Sequence, residues 1–283
     1  MNMKLVRYGE AGQEKPGLLD NAGVLRDLSA HVSDFGGASV STEFLASLGR
    51  ISSETLPKVA GTERLGCPLS FVPNFYCIGL NYARHADESG MARPSEPILF
   101  SKASSALGGP NDPLVIPRGS DRLDWEVELG AVIGRDCLYV SEEDALDYVS
   151  AYCTVNDVSE RSFQLDRGGQ WIKGKSAPGF GPVGPWLVTA DDVGDPQALD
   201  LSLKVNGEVV QSSNTADMIF GLRQIIAHIS QFIKLVPGDI IATGTPEGVG
   251  MGMKPPRYLK AGDVMEVTVE GLGTQRQEVV AAV

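Results

Sequence analysis

The chain has 283 residues, of which 42% are hydrophobic, and this composition predicts a globular protein with a substantial core rather than a disordered one. Thirty-six acidic residues against 24 basic residues give a formal net charge of -12 at pH 7. So acidic a chain excludes broad electrostatic binding to nucleic acid or to an anionic membrane. An anionic ligand would need a local basic pocket.

The amino terminus and the cysteines indicate the cellular compartment. The first residues, Met1 to Arg7, lack the apolar core of a signal peptide, and no later run is long enough to span a membrane. The four cysteines lack the close spacing of zinc or redox motifs, which favours reduced, buried thiols at Cys67, Cys77, Cys137 and Cys153. We therefore expect a soluble cytoplasmic protein.

The first 70 residues are predicted to form a small α+β domain. Alternating apolar residues and turn signals predict strands at Lys4 to Tyr8, Gly17 to Asp20 and Val24 to Leu28. A short helix capped by Ser41 or Thr42 should end near Gly49. The proline-bearing stretch from Leu65 to Pro73 is typical of an irregular linker. We therefore predict two domains, residues 1–70 and 71–283.

A strand at Tyr76 to Leu80 is predicted to lead into a short helix, Tyr82 to Ser89, which Asn81 could cap. His85 and Glu88 are spaced i, i+3 on this helix, so an imidazole and a carboxylate can meet and act as a general base for water. The alternative is an ordinary exposed polar helix. A Gly- and Pro-bearing loop follows the helix, an arrangement typical of a mobile lid over a substrate.

The stretch from Leu123 to Gly130 alternates large apolar residues with two acids. In one continuous strand Glu126 and Glu128 would share a face, and Asp157 ends the next β-rich run, Tyr152 to Asn156. Three hard carboxylate ligands suit Mg²⁺ or Mn²⁺, and Ca²⁺ less well. The alternative is the solvated face of an amphipathic strand.

Beyond residue 97 short strands predominate, so the predicted class is mostly β within α+β. Two helices interrupt them, Ser141 to Val149 and about Asp217 to Leu235, the latter carrying an apolar stripe with a structural His228 beside it. The final strands are predicted at Ile240 to Thr243, Val264 to Val269 and Gln277 to Ala281.

Several cationic residues lie near the acids in the sequence. Lys175 stands between Gly174 and Ser176 in a glycine-rich, apolar stretch, which makes it the best candidate for a buried amine. The segment from Gly244 to Gly250 follows a strand and could present Thr245 and backbone N–H groups to a carboxylate. Other cations of this region, each an ordinary surface charge by default, are Lys102, Arg161 and Lys173.

Taken in order, these motifs closely resemble the fumarylacetoacetate hydrolase family from Phe75 to the C-terminus. The motifs are Gly79-Leu80-Asn81-Tyr82 with His85 and Glu88, Phe100-Ser101-Lys102, Glu126-Val127-Glu128, Asn156-Asp157, Arg161, Gly174-Lys175-Ser176 and Gly244-Thr245-Pro246. The resemblance implies a mixed β-sandwich roll and a homodimer. It also implies a metal held by Glu126, Glu128 and Asp157, and catalysis by His85, Glu88 and Lys175. Many relatives continue the lysine motif with Phe-Asp-Thr-Phe, but here Ala177-Pro178-Gly179-Phe180 stands there.

The resemblance implies hydrolysis of a C–C bond in a β-diketo acid, with a cation stabilising the pyruvate enolate that leaves. We assign six residues to the binding of this small anionic keto acid: Tyr82, Lys102, Arg161, Gln164, Gln170 and Thr245. The segment from Gln164 to Trp171 resembles hydrolases of diketo-deoxy sugar acids, which favours 2,4-diketo-3-deoxy-L-rhamnonate, cleaved to pyruvate and lactate. The alternatives are a decarboxylase, lyase or isomerase of a related keto acid, such as oxaloacetate decarboxylation or ureidoglycolate lysis, and a metal-stabilised binding protein without turnover.

Overall fold

The computed structural model describes residues 3–60 and 62–282, and strands dominate them. The strands are β1 Lys4–Tyr8, β2 Lys15–Leu19, β3 Leu25–Asp27, β4 Leu65–Gly66, β5 Phe75–Gly79, β6 Ile98–Lys102, β7 Leu107–Gly108, β8 Leu114–Val115, β9 Leu123–Asp124, β10 Val127–Ile133, β11 Val149–Asn156, β12 Ser159–Glu160, β13 Gly181–Pro182, β14 Leu187–Thr189, β15 Asp200–Val205, β16 Glu208–Asn214, β17 Ile240–Ala242, β18 Val264–Val269 and β19 Gly273–Val280. The α-helices are α1 Thr42–Leu48, α2 Ala83–Glu88, α3 Arg161–Leu165, α4 Ile172–Lys175 and α5 Leu222–Ser230. The predicted mostly-β, α+β class is confirmed.

Two sheets form the body of the molecule. The larger has ten strands in the order β3-β2-β1-β14-β11-β10-β17-β5-β6, with β4 beside β1, and the smaller has the order β16-β15-β18-β19-β8. Both mix parallel and antiparallel pairs, because β17–β5 and β19–β8 are parallel within largely antiparallel sheets. Apolar residues of the central strand β10 pack against β15, β18 and α5 in one core.

A second core covers the opposite face of the large sheet. It joins residues of β10 and β11, such as Val132 and Cys153, to apolar residues of the first 60 positions, such as Leu5 and Phe35. Strands β10 and β11 are therefore buried on both faces. This double coverage explains why Glu128 on β10, and Glu126 just before it, lie in the interior rather than on a solvated face.

The first 70 residues share this sheet and core with the rest of the chain. Strand β1 pairs with β14 at Leu5↔Leu187, so the sheet continues across the predicted boundary. The division at residue 70 stays a prediction. Within the segment, the predicted strands are confirmed, and helix α1 begins after the predicted cap Ser41, whose hydroxyl accepts a hydrogen bond from Phe44 N.

Three predicted elements differ in the structure. The run from Leu123 to Gly130 is two strands, because side chains satisfy the backbone at the break: Asp124 accepts from Trp125 N, and Asn156 accepts from Glu126 N. The helix predicted at 141–149 is only a 3-10 turn, Ala145–Tyr148, since Val149 already begins β11.

The helix predicted at 217–235 is the shorter α5. It begins after Gly221, whose N–H is bound by the Gln224 side chain, and it ends at Ser230. Phe232, which falls within the predicted helix, is 70% exposed, and its ring packs edge to face on the ring of His228. The structural role of His228 stays a prediction. Within residues 3–60 and 62–282, none of the helices combines the length and hydrophobicity needed to cross a lipid bilayer.

Candidate active site

Strand pairing brings the three predicted acids together. Glu128 on β10 is paired with Val155 on β11, and continuing this antiparallel register places Asp157 opposite Glu126 on the same face. The N–H of Asp157 also donates to the carbonyl of Glu126 at 2.9 Å. All three side chains are buried, and one carboxylate oxygen from each lies within 4.8 Å of the other two. The solvated-strand alternative is therefore wrong.

Two buried cations hold Glu126 and Asp157. Lys175 Nζ donates to Glu126 Oε2 and to Asp157 Oδ2, each at 2.7 Å, and Arg161 Nη2 donates to Glu126 Oε1 at 2.6 Å. Burial opposes ionisation of Glu126, but the charges of Lys175 and Arg161 outweigh it and lower its pKa. Burial likewise opposes the charge of Lys175, yet Asp157 and Glu126 raise the pKa of this ammonium.

Glu128 differs from the other two acids because no lysine, arginine or histidine within residues 3–60 and 62–282 forms an ion pair with it. Its carboxylate accepts a hydrogen bond from Gly244 N at 2.9 Å. Burial, together with the charges of Asp157 and Glu126, raises the pKa of Glu128 well above its usual range. A divalent cation at this cluster would supply the missing positive charge, so these three residues fit a metal of the Mg²⁺ or Mn²⁺ type.

His85 and Glu88 meet on α2 as their spacing predicts. His85 Nδ1 lies 2.9 Å from Glu88 Oε1, and both oxygens of Glu88 also accept from Gly248 N, at 3.1 and 3.0 Å. The exposed-helix alternative is wrong, since His85 is 5% exposed. Two of the acids, Glu126 and Glu128, line the same cavity as His85.

Asn81 does not cap this helix. Its Nδ2 donates to Thr243 O at 2.8 Å and to Phe220 O at 3.0 Å, and its Oδ1 accepts from Phe220 N. The cap position is Tyr82, whose side chain makes no capping bond. Asn81 instead ties the start of α2 to the chain segments before α5 and after β17.

The segment after β17 supports the acids from one side. Gly244 has a φ of +99°, and a Cβ there would lie 2.7 Å from Asn81 Cβ, so glycine allows the close approach that delivers its N–H to Glu128. Thr245 Oγ1 donates to Val127 O at 2.9 Å. The predicted carboxylate contact exists, but the carboxylate is the protein's own Glu128.

A cavity of about 280 Å³ opens over these groups. Its polar lining includes the predicted residues His85, Glu126, Glu128, Arg161, Gln164, Lys175 and Thr245. Its apolar lining is Ile78, Leu80, Met91, Phe100, Leu165, Trp171 and Met251. A single pocket therefore joins the base candidate, two acids of the cluster and the buried lysine.

Three residues assigned to substrate binding lie outside this lining. Lys102 is buried behind it, where Nζ donates to Asp157 Oδ1 and to Val158 O, so it holds an acid in place. Tyr82 is also buried, and this burial is the main reason why the pKa of its hydroxyl is raised. Gln170 is exposed on the surface beside Trp171.

Residues 74–280 match the family described as fumarylacetoacetate (FAA) hydrolase, C-terminal. The chain belongs to the fumarylacetoacetate hydrolase family. The family match spans most of the chain and covers every residue of the site described above.

Relatives of known sequence or structure match over almost the whole chain. A Burkholderia orbicola protein carrying the name "Putative hydrolase" is 56% identical over 276 residues, 97% of this chain and 98% of that protein. A fumarylacetoacetate hydrolase from psychrophilic Exiguobacterium antarcticum has a TM-score of 0.86 at 36% identity, covering 99% of this chain and 100% of that one. A maleylpyruvate hydrolase from Sphingobium sp. SYK-6, solved with manganese(II) and pyruvate, has a TM-score of 0.82 at 30% identity, over 99% and 100%.

Two residues that support the site in this fumarylacetoacetate hydrolase family member were not predicted. Asp124 is fully buried and accepts from Arg161 Nε at 2.8 Å and from Gly250 N at 2.7 Å. Gln211 accepts from Val127 N and donates to Thr245 Oγ1. Asp124 could have been found from the sequence, because an acid inside an apolar run is unusual. Gln211 could not, because it lies in a polar strand that resembles an ordinary edge strand.

Proposed function

We propose that this protein is a divalent-cation-dependent hydrolase that cleaves a C–C bond of a β-diketo acid of the acylpyruvate type. The observation that carries the proposal is one cavity lined by His85, two acids and a buried lysine. Glu88 contacts the histidine, and Asp157 completes the acid cluster. The relative from Sphingobium, a maleylpyruvate hydrolase with manganese and pyruvate bound, supports this class of substrate.

Glu126, Glu128 and Asp157 would hold the cation, Mg²⁺ or Mn²⁺ in preference to Ca²⁺. Such a cation, when bound, polarises a keto oxygen and stabilises negative charge that develops there. The oxygen-only donor set and the raised pKa of Glu128 both support a hard divalent ion.

His85 is the general base in this proposal. When Nδ1–H is donated to Glu88, the other ring nitrogen is free to take a proton from water. The hydroxide so formed adds to the distal carbonyl of the diketo acid, and the C–C bond next to it breaks. This contribution is worth about 10² to 10⁴ in rate, which corresponds to about 3 to 5 kcal/mol.

Lys175 serves the leaving group. The broken bond leaves its electron pair on the pyruvate part as an enolate, which takes up a proton to become pyruvate, while the acyl part departs as a carboxylic acid. The ammonium of Lys175, held between Glu126 and Asp157, can share the enolate's charge or supply that proton. Burial in the cavity floor strengthens this electrostatic effect.

Isomerase or decarboxylase chemistry is the alternative, because one structural neighbour is a probable 2-hydroxyhepta-2,4-diene-1,7-dioate isomerase from Mycobacterium abscessus, with a TM-score of 0.83 at 32% identity. These reactions need no attacking water. The test is a screen of acylpyruvates, 2,4-diketo-3-deoxy-L-rhamnonate and oxaloacetate for pyruvate release with Mg²⁺, Mn²⁺ or EDTA. Release from oxaloacetate alone would favour a decarboxylase, and tight cation binding with no turnover of any substrate would favour a binding protein.

The homodimer and the cytoplasmic location stay part of the proposal. Free, buried cysteines at all four positions are consistent with a reducing compartment. Light scattering after size-exclusion chromatography would test the dimer, and a monomeric mass for the active protein would contradict it.

A further inference from the structure

The cavity changes character from floor to mouth. Its floor is polar and buried, with Glu128 and Lys175 only 1% and 2% exposed. Its mouth is apolar and open to solvent, where Met91 and Leu165 are 44% and 40% exposed. Exposed apolar side chains around a polar pocket gain burial when a ligand with an apolar end fills the mouth.

An apolar wall joins these two levels; we define it as Met91, Phe100, Leu165, Trp171 and Met251. The rings of Phe100 and Trp171 pack edge to face with centroids 5.2 Å apart, which fixes both. Gly79 makes room for this pair, because a Cβ there would lie 2.6 Å from Trp171 Cζ3. The aromatic part of the wall, Phe100 and Trp171, is therefore packed in place.

The cations of the cavity are already paired. Among residues 3–60 and 62–282, the Lys and Arg side chains that line it are Arg161 and Lys175, and both donate to Glu126. Nearby surface arginines do not line it: Arg84 pairs with Glu247, Arg93 pairs with Asp87, and Arg167 lies over the ring of Phe163. A second carboxylate packed against the apolar wall would thus lose water without meeting an unpaired lysine or arginine of the lining.

We infer that the substrate is a monocarboxylate whose acyl end is uncharged and apolar, selected by the apolar wall, rather than a dicarboxylate. This inference rests on the proposed function, since it assumes that the keto-acid end lies on the carboxylate floor. Each methylene buried against the wall is expected to raise affinity by about fourfold. Leu165 and Trp171 are the specificity-determining residues.

A matched pair of uncleavable ligands tests the inference without turnover. 2-Oxooctanoate and 2-oxooctanedioate have the same length and differ only in a terminal carboxylate. Isothermal titration calorimetry with Mn²⁺ present should show the monoacid binding at least about tenfold more tightly than the diacid, and more tightly than pyruvate. The inference would be overturned if the two ligands bound with equal affinity or if the diacid bound more tightly. It would also be overturned if neither ligand bound under conditions in which pyruvate binds.

Variants locate the selectivity on the wall. Leu165→Arg should reverse the preference of the pair, whereas Leu138→Arg, at a similarly exposed leucine outside the cavity, should leave it unchanged. Gly79→Ala should displace Trp171 and weaken 2-oxooctanoate about tenfold or more while pyruvate binding persists. An unchanged preference in both cavity variants would remove the wall as its cause.

The two proposals fail separately. Selective binding of 2-oxooctanoate without pyruvate release from any acylpyruvate would contradict the proposed hydrolase but support the inferred selectivity. Pyruvate release from acylpyruvates with no preference within the matched pair would support the hydrolase but contradict the inferred selectivity. Failure to bind pyruvate at all would overturn both.

Discussion

The ammonium of Lys175 lies 2.7 Å from a carboxylate oxygen of Asp157, at the buried floor of the cavity. The same nitrogen contacts Glu126, so one side chain links two of the three acids proposed to hold a cation. Lys175 therefore has two roles, because it neutralises the cluster and faces the substrate cavity. Lys173, on the same helix as Lys175, offers a control for both roles.

Lys175→Ala should abolish pyruvate release from both diketo acids and oxaloacetate, because both reactions place charge on an enolate. It should also lower the free energy of unfolding by about 3 kcal/mol, since Glu126 and Asp157 each lose one of two cationic partners and keep only Arg161 and Lys102, respectively. Lys173→Ala is the matched control, because Lys173 is exposed and donates only to Arg167 O. Activity assays and urea unfolding check both effects, and equal loss in the two variants would contradict the prediction.

Borohydride tests how Lys175 acts. The ammonium is paired with acids that raise its pKa, so it should not form a Schiff base with pyruvate. Treatment of the wild type with borohydride and pyruvate should leave full activity after dialysis. Irreversible inactivation, with added mass on Lys175, would indicate an aldolase-type mechanism instead.

His85→Ala should lower diketo-acid hydrolysis by about 10² to 10⁴, because the water loses its base. Binding of Mn²⁺ and pyruvate should persist, and oxaloacetate decarboxylation should suffer less. His31→Ala is the control, since His31 is exposed and remote from the cavity. If His85→Ala reduced both activities equally, a dedicated hydrolytic base would be excluded.

Cation binding should depend on pH through Glu128. Its raised pKa means that the cation-free protein keeps this carboxyl protonated to higher pH than usual, and a cation must displace that proton. Affinity for Mn²⁺ should therefore rise with pH, and calorimetry in buffers of different ionisation enthalpy should detect proton release.

Glu128→Gln should lose this pH dependence together with most of the affinity for Mn²⁺. Removal of the metal with EDTA should abolish turnover. Full activity after thorough removal of metal would contradict the metal site itself.

Residues 82–94 are predicted to order over bound ligand. Helix α2 is short, and the loop after it carries exposed Met91, so few apolar contacts hold the segment. Hydrogen exchange there should slow when Mn²⁺ and pyruvate are added, while strand β10 stays protected in both states. Unchanged exchange at residues 82–94 would argue against a lid.

The sequence alone determined the chemistry-bearing residue types and most of the strands. Local signals suffice for α1, whose Ser41 cap and Gly49 end are both encoded within nine residues. The family motifs likewise identified the acids, the His–Glu pair and Lys175 before any distance was known. These features were accessible because each depends on residue type and short spacing.

Only the tertiary structure decided which of these residues meet. Lys102 and Lys175 were both assigned to the substrate site, yet Lys102 is buried behind Asp157 and Lys175 lines the cavity. The break between β9 and β10 depends on Asn156 and Gln211, which reach its backbone from other strands. The apolar wall joins a strand, two helix ends and two segments outside strands and α-helices, so no local sequence pattern predicts it. Long-range packing sets these outcomes, because burial on both faces of the sheet determines where an acid must find its partner.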